Sequence, residues 1–124
     1  MSTQENLNEI MKFLFTIQIL NKLYHLNTSS YARHKAADSF DDSLQGHIDR
    51  FAETYIGRYN VKPVVTSIKI DQDFISDDGI IKLFKQTKIY LENLNRMFTD
   101  PDLLAIRDDL LGNVNKTLYL FQLK

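Results

Sequence analysis

The sequence predicts an all-α protein, namely a four-helix bundle with one long crossing between its second and third helices. Apolar residues recur at helical spacing in four segments, and the stretch from about residue 58 to about residue 74 breaks that spacing. The chain has 124 residues, of which 44% are apolar and 11% aromatic, and this is enough for one hydrophobic core. We therefore expect a single domain over residues 1–124.

The first helix is expected over about residues 3–25. Ser2 and Glu5 form a capping-box pattern at its start. A first apolar stripe then follows at helical spacing, made of Leu7, Ile10, Leu14, Ile17 and Tyr24. A second set lies on other sides of the same helix, made of Met11, Phe13, Phe15, Ile19, Leu20 and Leu23. One stripe is enough for a helix that faces one core, so we expect this helix to bury a second face.

The second helix is expected over about residues 30–57. The run Asn27 to Ser30 consists of residue types that favour helix starts, and Gly57 is a natural residue for a helix end. At 100° per residue, one face of this helix is apolar and meets the core. Its residues are Ala37, Phe40, Leu44, Ile48, Phe51 and Tyr55.

An extended crossing is expected next, because Pro63 and the β-branched residues after it disfavour a helix. At about 3.3 Å per residue it can span the whole bundle. Two further helices are expected over about residues 76–98 and about residues 101–122, with Asp100 as a cap and Pro101 at the first helical position. Two short connections and one long crossing describe a ferritin-like bundle better than a simple up-and-down bundle.

Composition narrows the possible functions. Without cysteine, any metal must be bound by oxygen and imidazole ligands. The formal net charge of −1 and the absence of a basic run argue against DNA as a partner. The most apolar stretch, Ile10 to Leu20, is about half the length that a membrane span needs. The amino-terminal residues show no basic region and no cleavage site, so we predict a cytoplasmic protein.

A polar stripe on the second helix is the main candidate for chemistry. His34, Asp38, Asp49 and Glu53 follow each other at spacings of four, eleven and four residues, within an arc of about 100°. Each four-residue pair suits the joint binding of one metal ion, but about 16 Å separates Asp38 from Asp49 along the helix. A metal site would therefore need a second copy of the helix across a two-fold axis. The alternative is that the stripe is the solvated side of an amphipathic helix.

The segment from His25 to Gly57 resembles the ferroxidase signature of Dps-type miniferritins. In that family a histidine ends the first helix, a histidine and an aspartate four apart open the second, and an Asp-x-x-Ala-Glu motif follows eleven residues later. The matching residues here are His25, His34, Asp38, Asp49, Ala52 and Glu53.

This resemblance implies a homo-oligomer joined through a two-fold interface of the first two helices. His25, His34 and Asp38 of one chain, with Asp49 and Glu53 of its partner, would bind iron in a di-iron or mono-iron site. The implied activity is oxidation of Fe(II) by dioxygen or peroxide. The alternative is a non-catalytic, small helical interaction protein that keeps the polar stripe for solubility or for partner binding.

Overall fold

The computed structural model describes residues 2–123 and is built from four α-helices. The helices are α1 (Thr3–Asn27), α2 (Tyr31–Tyr59), α3 (Asp77–Glu92) and α4 (Pro101–Leu120), and two 3-10 helices cover Gln72–Ile75 and Asn93–Arg96. No strand occurs between residues 2 and 123. The predicted all-α fold with four helices is confirmed.

Serine side chains cap the start of three of the four helices. Each serine hydroxyl oxygen accepts a hydrogen bond from the backbone N–H three residues later, which satisfies a donor that has no partner within the helix. These bonds run from Glu5 to Ser2 at 3.1 Å, from Arg33 to Ser30 at 3.2 Å, and from Gly79 to Ser76 at 2.9 Å. The capping box expected at Ser2 is present.

Several helix ends differ from the prediction, among them those of the second and third helices. The second helix passes through Gly57 and ends at Tyr59; the next residue, Asn60, has a φ of 53° and a ψ of 43°, which place it in the left-handed region. Asparagine tolerates that conformation, so it replaces glycine as the terminating residue. The sequence predicts that the third helix reaches about residue 98, but α3 ends at Glu92 and tightens into the 3-10 turn Asn93–Arg96.

The ends of the helices show how they are arranged. At one end of the bundle, the Tyr24 hydroxyl near the end of α1 donates a hydrogen bond to Asp77 at the start of α3, at 2.6 Å. At the other end, the Tyr59 hydroxyl at the end of α2 donates to Asp100, just before α4, at 2.7 Å. Since residues 28–30 turn the chain back from α1 to α2, α2 and α3 run in the same direction and α1 and α4 run opposite to them.

The crossing over residues 60–71 joins opposite ends of the bundle, as the sequence predicts. Its first part is fixed to the start of α1. The Gln4 side chain donates to the Lys62 carbonyl oxygen at 2.6 Å, and the Val64 N–H donates to the Asn8 side-chain oxygen at 2.8 Å. The crossing therefore runs along the outside of the bundle.

One continuous core lies between the four helices. Aromatic rings from α2, from α3 and from the residue after α4 meet there. Phe84 on α3 contacts Phe40 on α2 with ring centroids 4.7 Å apart. Phe84 also packs edge-on against Phe121, which follows α4, at 5.2 Å. No helix within the described part of the chain has the length and apolar character to cross a membrane.

Candidate functional site

The two histidines of the predicted site meet where α1 passes into α2. The rings of His25 and His34 stack with centroids 4.0 Å apart and planes 19° apart. The His25 Nδ1 lies 3.0 Å from the His34 carbonyl oxygen, and the His34 Nδ1 lies 2.8 Å from the His25 carbonyl oxygen. Sequence spacing alone could not establish this pairing, because it depends on the turn at residues 28–30.

These reciprocal bonds determine which ring nitrogen carries the proton. A carbonyl oxygen only accepts, so Nδ1 must be the donor in both His25 and His34. In the neutral rings, Nε2 is then the one nitrogen left with a lone pair. The bonds also connect the last turn of α1 with the first turn of α2, so the pair has a clear structural role.

The three carboxylates of the predicted site do not converge, because Asp38 lies apart from Asp49 and Glu53, which are one helical turn from each other. Asp38 is half-buried one turn after His34, whereas Asp49 and Glu53 are exposed on the second half of α2. The rise of an α-helix separates Asp38 from Asp49 by about 16 Å. Throughout residues 2–123, no three His, Asp or Glu side chains come together in a group that could hold a metal ion. The five predicted ligands therefore do not fit an iron centre within one chain, and a centre shared between two chains stays a prediction.

An apolar ridge runs along the outer side of α1, formed by Phe15, Ile19, Leu23 and Leu26. At 100° per residue these four positions fall within an arc of about 80° on the outer side of α1, although Phe15 also packs against the edge of the core. Ile19 is 38% exposed and Leu26 is 67% exposed. The sequence predicts that α1 buries its second apolar set. Met11 and Leu20 of this set are in the core and Phe13 stacks on Tyr90, but Ile19 is exposed, so burial of the second set is incomplete within the single chain.

Leu26 is the part of this ridge that the sequence analysis missed. A first helix that ended at about residue 25 would place Leu26 in a loop. In the structure α1 continues to Asn27, because the Thr28 N–H still bonds to the Tyr24 carbonyl oxygen at 2.9 Å. The longer helix extends the apolar ridge by one residue.

An acidic ridge lies beside it on the outer side of α2, formed by Asp38, Asp42, Asp49 and Glu53. These positions fall within an arc of about 60°, also opposite the core. α1 and α2 are antiparallel neighbours, with His25 beside His34 and Tyr55 beside Thr3. Asp38 and Asp42 therefore lie beside the apolar ridge, whereas Asp49 and Glu53 lie nearer the start of α1. We call this outer surface the α1/α2 face. An ion pair between Lys22 and Asp41, at 3.7 Å, connects the two helices between the ridges.

A cavity in the core is too small to serve as a ligand site. A cavity beside His47 on α2 and Tyr90 on α3 has a volume of about 10 Å³ and an apolar lining. That volume is at the limit for a single water molecule. Burial raises the pKa of Tyr90 to about 12, with a smaller contribution from the nearby Glu9 carboxylate, so the Tyr90 hydroxyl stays neutral at physiological pH. We therefore treat the α1/α2 face as the candidate functional site.

The chain is similar to one protein of Enterobacteria phage T4, an uncharacterized 14.6 kDa protein in the mobD-ri intergenic region. The two sequences are 30% identical over 119 residues, which cover 94% of this chain and 88% of the phage protein. No solved structure matches the chain. The similarity therefore extends over all four helices and brings no known activity with it.

The identification as a Dps-like miniferritin is wrong, because the family that matches is a different one and covers residues 25–121. The iron-binding and ferroxidase description rested on that identification and has no support from the relatives. Spacings of four, eleven and four residues place side chains on one side of any long helix, so an acidic outer face reproduces the motif without its chemistry. The chain belongs to the family described as Family of unknown function (DUF5856).

Proposed function

We propose that this protein is a non-catalytic interaction protein that binds a partner protein through its α1/α2 face. The observation that supports the proposal is the apolar ridge of α1, where Ile19 and Leu26 are exposed although they continue a regular helical stripe. Single exposed apolar residues are common on protein surfaces, but a contiguous apolar stripe is typical of a binding surface.

The energetic gain from covering this ridge favours association. Fully burying one leucine or isoleucine side chain is worth about 1.5 to 3 kcal/mol. Phe15 and Leu23 are half-buried and Ile19 and Leu26 are exposed, so the ridge keeps part of this free energy available for a partner. The buried centre of an interface is more apolar than its rim, and the apolar side chains of the ridge suit such a centre.

The arrangement of the polar groups on this face suits protein–protein contact better than catalysis. Catalytic groups usually converge in a concave pocket. The acidic ridge instead extends over about 22 Å of one helix, from Asp38 to Glu53, and three of its four residues are exposed. This distribution suits a long, shallow interface.

The proposal includes a ferritin-like connectivity for the bundle. Its support is the parallel direction of α2 and α3, together with a crossing that joins opposite ends of the bundle. The cytoplasmic location and the two-fold homo-oligomer stay predictions from the sequence.

Site-specific photo-crosslinking tests the proposal. A photoreactive amino acid replaces Ile19 on the apolar ridge, and in a matched control it replaces Ile89, an exposed isoleucine on α3. We expect irradiation of cells that contain the protein to give a discrete covalent adduct at position 19 and none at position 89. Absence of an adduct at position 19, or identical adducts at both positions, would overturn the proposal.

A further inference from the structure

We propose that the partner bound at the outer side of α1 is an extended segment of another protein, which pairs as a β-strand with the crossing. This inference rests on the proposed function and specifies the form of the partner. It follows from the backbone of residues 65–70, which makes no hydrogen bond to any other part of residues 2–123. Another extended chain offers backbone donors and acceptors at the matching spacing.

The crossing has the sequence and the conformation of a strand. Residues 60–71 contain no helix or turn and connect opposite ends of the bundle, so they are extended. Five of the seven residues 64–70 are β-branched, and none is glycine or proline. Val61, Pro63 and Val65 are half-buried, whereas the residues between them are exposed. This alternation is typical of a strand that packs one side against a core.

Only the first part of the crossing has its backbone groups paired. The Lys62 carbonyl oxygen and the Val64 N–H bond to the side chains of Gln4 and Asn8. After Val64, the N–H and C=O groups of residues 65–70 face solvent without a partner in the described part of the chain. A strand with unpaired backbone groups is a template on which a further strand can form.

The crossing lies next to the exposed part of the apolar ridge. Five positions of α1 fall within an arc of about 60°, namely Gln4, Asn8, Phe15, Ile19 and Leu26. The crossing starts on this arc at Asn8 and leads to Asp77 beside Tyr24, about 160° further around α1. It therefore passes obliquely over the outer side of α1, where Ile19 and Leu26 stay exposed. A strand about 4.8 Å from the crossing could cover these side chains.

A helix fits this surface less well than a strand. The backbone groups of a helix bond to each other, so a helical partner would exclude water from residues 65–70 without replacing the lost hydrogen bonds. Charge does not select the partner, because exposed Lys12 and Lys22 on α1 lie near the carboxylates of Asp38 and Asp42 on α2. Two strands alone are marginally stable in water, but packing against a helix stabilises them, and α1 provides that support.

A second copy of this chain is a poorer occupant because of its own first helix. Antiparallel pairing of two crossings around a two-fold axis puts both α1 helices on the same side of the two strands. Paired strands lie about 4.8 Å apart, whereas packed helices need about 8 to 10 Å between their axes. The two α1 helices would therefore collide where each crossing passes over its helix. An extended segment without a helix beneath it avoids this collision.

Peptide binding tests the inference. The probe is a fluorescently labelled peptide of about ten residues in which valine and threonine alternate, with a lysine at each end. The control peptide has two adjacent prolines at its centre, which remove one amide N–H from each edge of the strand. We expect the probe to bind the full chain in a fluorescence anisotropy titration, and the control to bind at least about tenfold more weakly.

Hydrogen exchange shows whether the bound peptide forms a strand. Successive residues of a strand direct their N–H groups to opposite edges. We therefore expect the probe to slow exchange at every second amide within residues 65–70, as measured by nuclear magnetic resonance. A peptide that contacts only side chains would not produce this alternation.

Protein variants test the role of the backbone of the crossing. Thr66→Pro with Ser67→Pro removes one N–H from each edge, whereas Thr66→Ala with Ser67→Ala keeps both. Both side chains are exposed, and proline is compatible with extended backbone, so circular dichroism should show that each variant keeps its helices. We expect the proline variant to bind the probe at least about tenfold more weakly than the alanine variant.

Four results would overturn the inference. These are failure of the probe to bind, equal binding of the two peptides, equal binding by the proline and alanine variants, and self-association of the unmodified chain that the proline variant removes. Each can occur while position 19 still crosslinks to a protein in cells, in which case the interaction function stands and only the strand is rejected. Loss of crosslinking at position 19 would instead reject the interaction function itself.

Discussion

Gly79 lies where neighbouring backbone leaves no room for a Cβ atom. It lies in the first turn of α3, and a Cβ there would be 1.9 Å from the Asp73 carbonyl oxygen and 2.9 Å from the Phe74 Cα. Both atoms belong to backbone that cannot rotate away. We expect Gly79→Ala to lower the free energy of unfolding by about 1 to 3 kcal/mol, measured by urea denaturation.

Gly57 provides the matched control for this substitution. It lies within α2, and no side chain or neighbouring segment comes within 4 Å of the place that a Cβ would take, so Gly57→Ala adds no clash. Because alanine favours the helix more than glycine does, we expect Gly57→Ala to raise the free energy of unfolding by about 0.5 to 1 kcal/mol. Equal effects at both positions would contradict the close approach of the backbone at Gly79.

Asp100 makes the stability of the bundle depend on pH. The hydrogen bond from the Tyr59 hydroxyl, assisted by the Arg58 guanidinium at 2.8 Å, holds the pKa of Asp100 below its usual range. A carboxyl group with a lowered pKa in the folded state stabilises above its unfolded pKa, and this contribution is lost as the pH falls through the folded value. The same hydrogen bond raises the pKa of Tyr59. The stability that the Tyr59 hydroxyl contributes is therefore lost as the pH rises through its pKa in the folded state.

Tyr59→Phe tests this pH dependence. We expect the variant to be less stable at neutral pH and to lose less stability than the unmodified protein between about pH 6 and about pH 3. Urea denaturation at a series of pH values measures both effects. Tyr119→Phe is the control, since Tyr119 is 59% exposed on α4. A Tyr59→Phe variant with the pH profile of the unmodified protein would refute the role of this bond.

Among the elements, the crossing has little spare length. Val64 is bonded to Asn8, and Tyr24, about 24 Å further along α1, is bonded to Asp77. The seven residue steps from Val64 to Asp71 reach at most about 23 to 25 Å. Asp77 lies six steps beyond Asp71, but the 3-10 helix Gln72–Ile75 rises only about 2 Å per residue, so the crossing covers most of this distance in an extended conformation.

Changing the length of the crossing tests this conclusion. Thr66 and Ser67 contribute little to the core, so deleting both removes little packing but shortens the connection. We expect the deletion to lower the free energy of unfolding by about 2 to 4 kcal/mol, whereas insertion of two glycines at the same place should cost less than about 1 kcal/mol. Thermal and urea unfolding measure both variants, and equal costs would show that the crossing is slack.

The helices could be predicted well from the sequence because their signals are local. Capping by Ser2 and Ser76 needs only residues within one turn, and each of these caps is present. The sequence also predicts Asp100 as a cap for α4, yet it makes no side-chain cap bond, because Tyr59 and Arg58 from α2 engage its carboxylate. Contacts of that kind join residues far apart in the chain, and local patterns do not contain them.

At the scale of the whole molecule, charge should decide whether this chain pairs with itself. In the two-fold arrangement that the sequence predicts, Asp49 and Glu53 of one copy face Asp38 of the other. Asp49→Lys with Glu53→Lys would turn this repulsion into attraction. We expect the unmodified protein to be monomeric at about 10 μM, and the variant to form a dimer that dissociates at high salt, as measured by light scattering.

A control with the same change in net charge keeps this test specific. Glu92→Lys with Asp109→Lys alters exposed residues on α3 and α4, away from the α1/α2 face, and should leave the chain monomeric. Dimerisation of both variants would show that net charge alone controls association. A stable dimer of the unmodified protein would instead support the two-fold homo-oligomer predicted from the sequence.

The candidate site could be predicted only in part, because it depends on a surface shared by two helices. The polar stripe containing Asp49 and Glu53 is visible in the sequence, and so is the extra apolar character of α1. Their position side by side depends on how α1 and α2 pack, and this follows from long-range contacts such as the bond from buried Asn21 to the Ala37 carbonyl oxygen, at 2.9 Å. In the sequence alone, where that packing is not visible, the stripe resembles a set of metal ligands.

The crossing also affects the order in which the chain can fold. Residues 28–30 join α1 to α2, and residues 97–100 connect the turn after α3 to α4, so each helical hairpin forms through contacts close in sequence. Local contacts form quickly, whereas contacts that close a long loop form slowly. We therefore expect the crossing to divide folding into two fast local events and one slower step, in which the two hairpins dock.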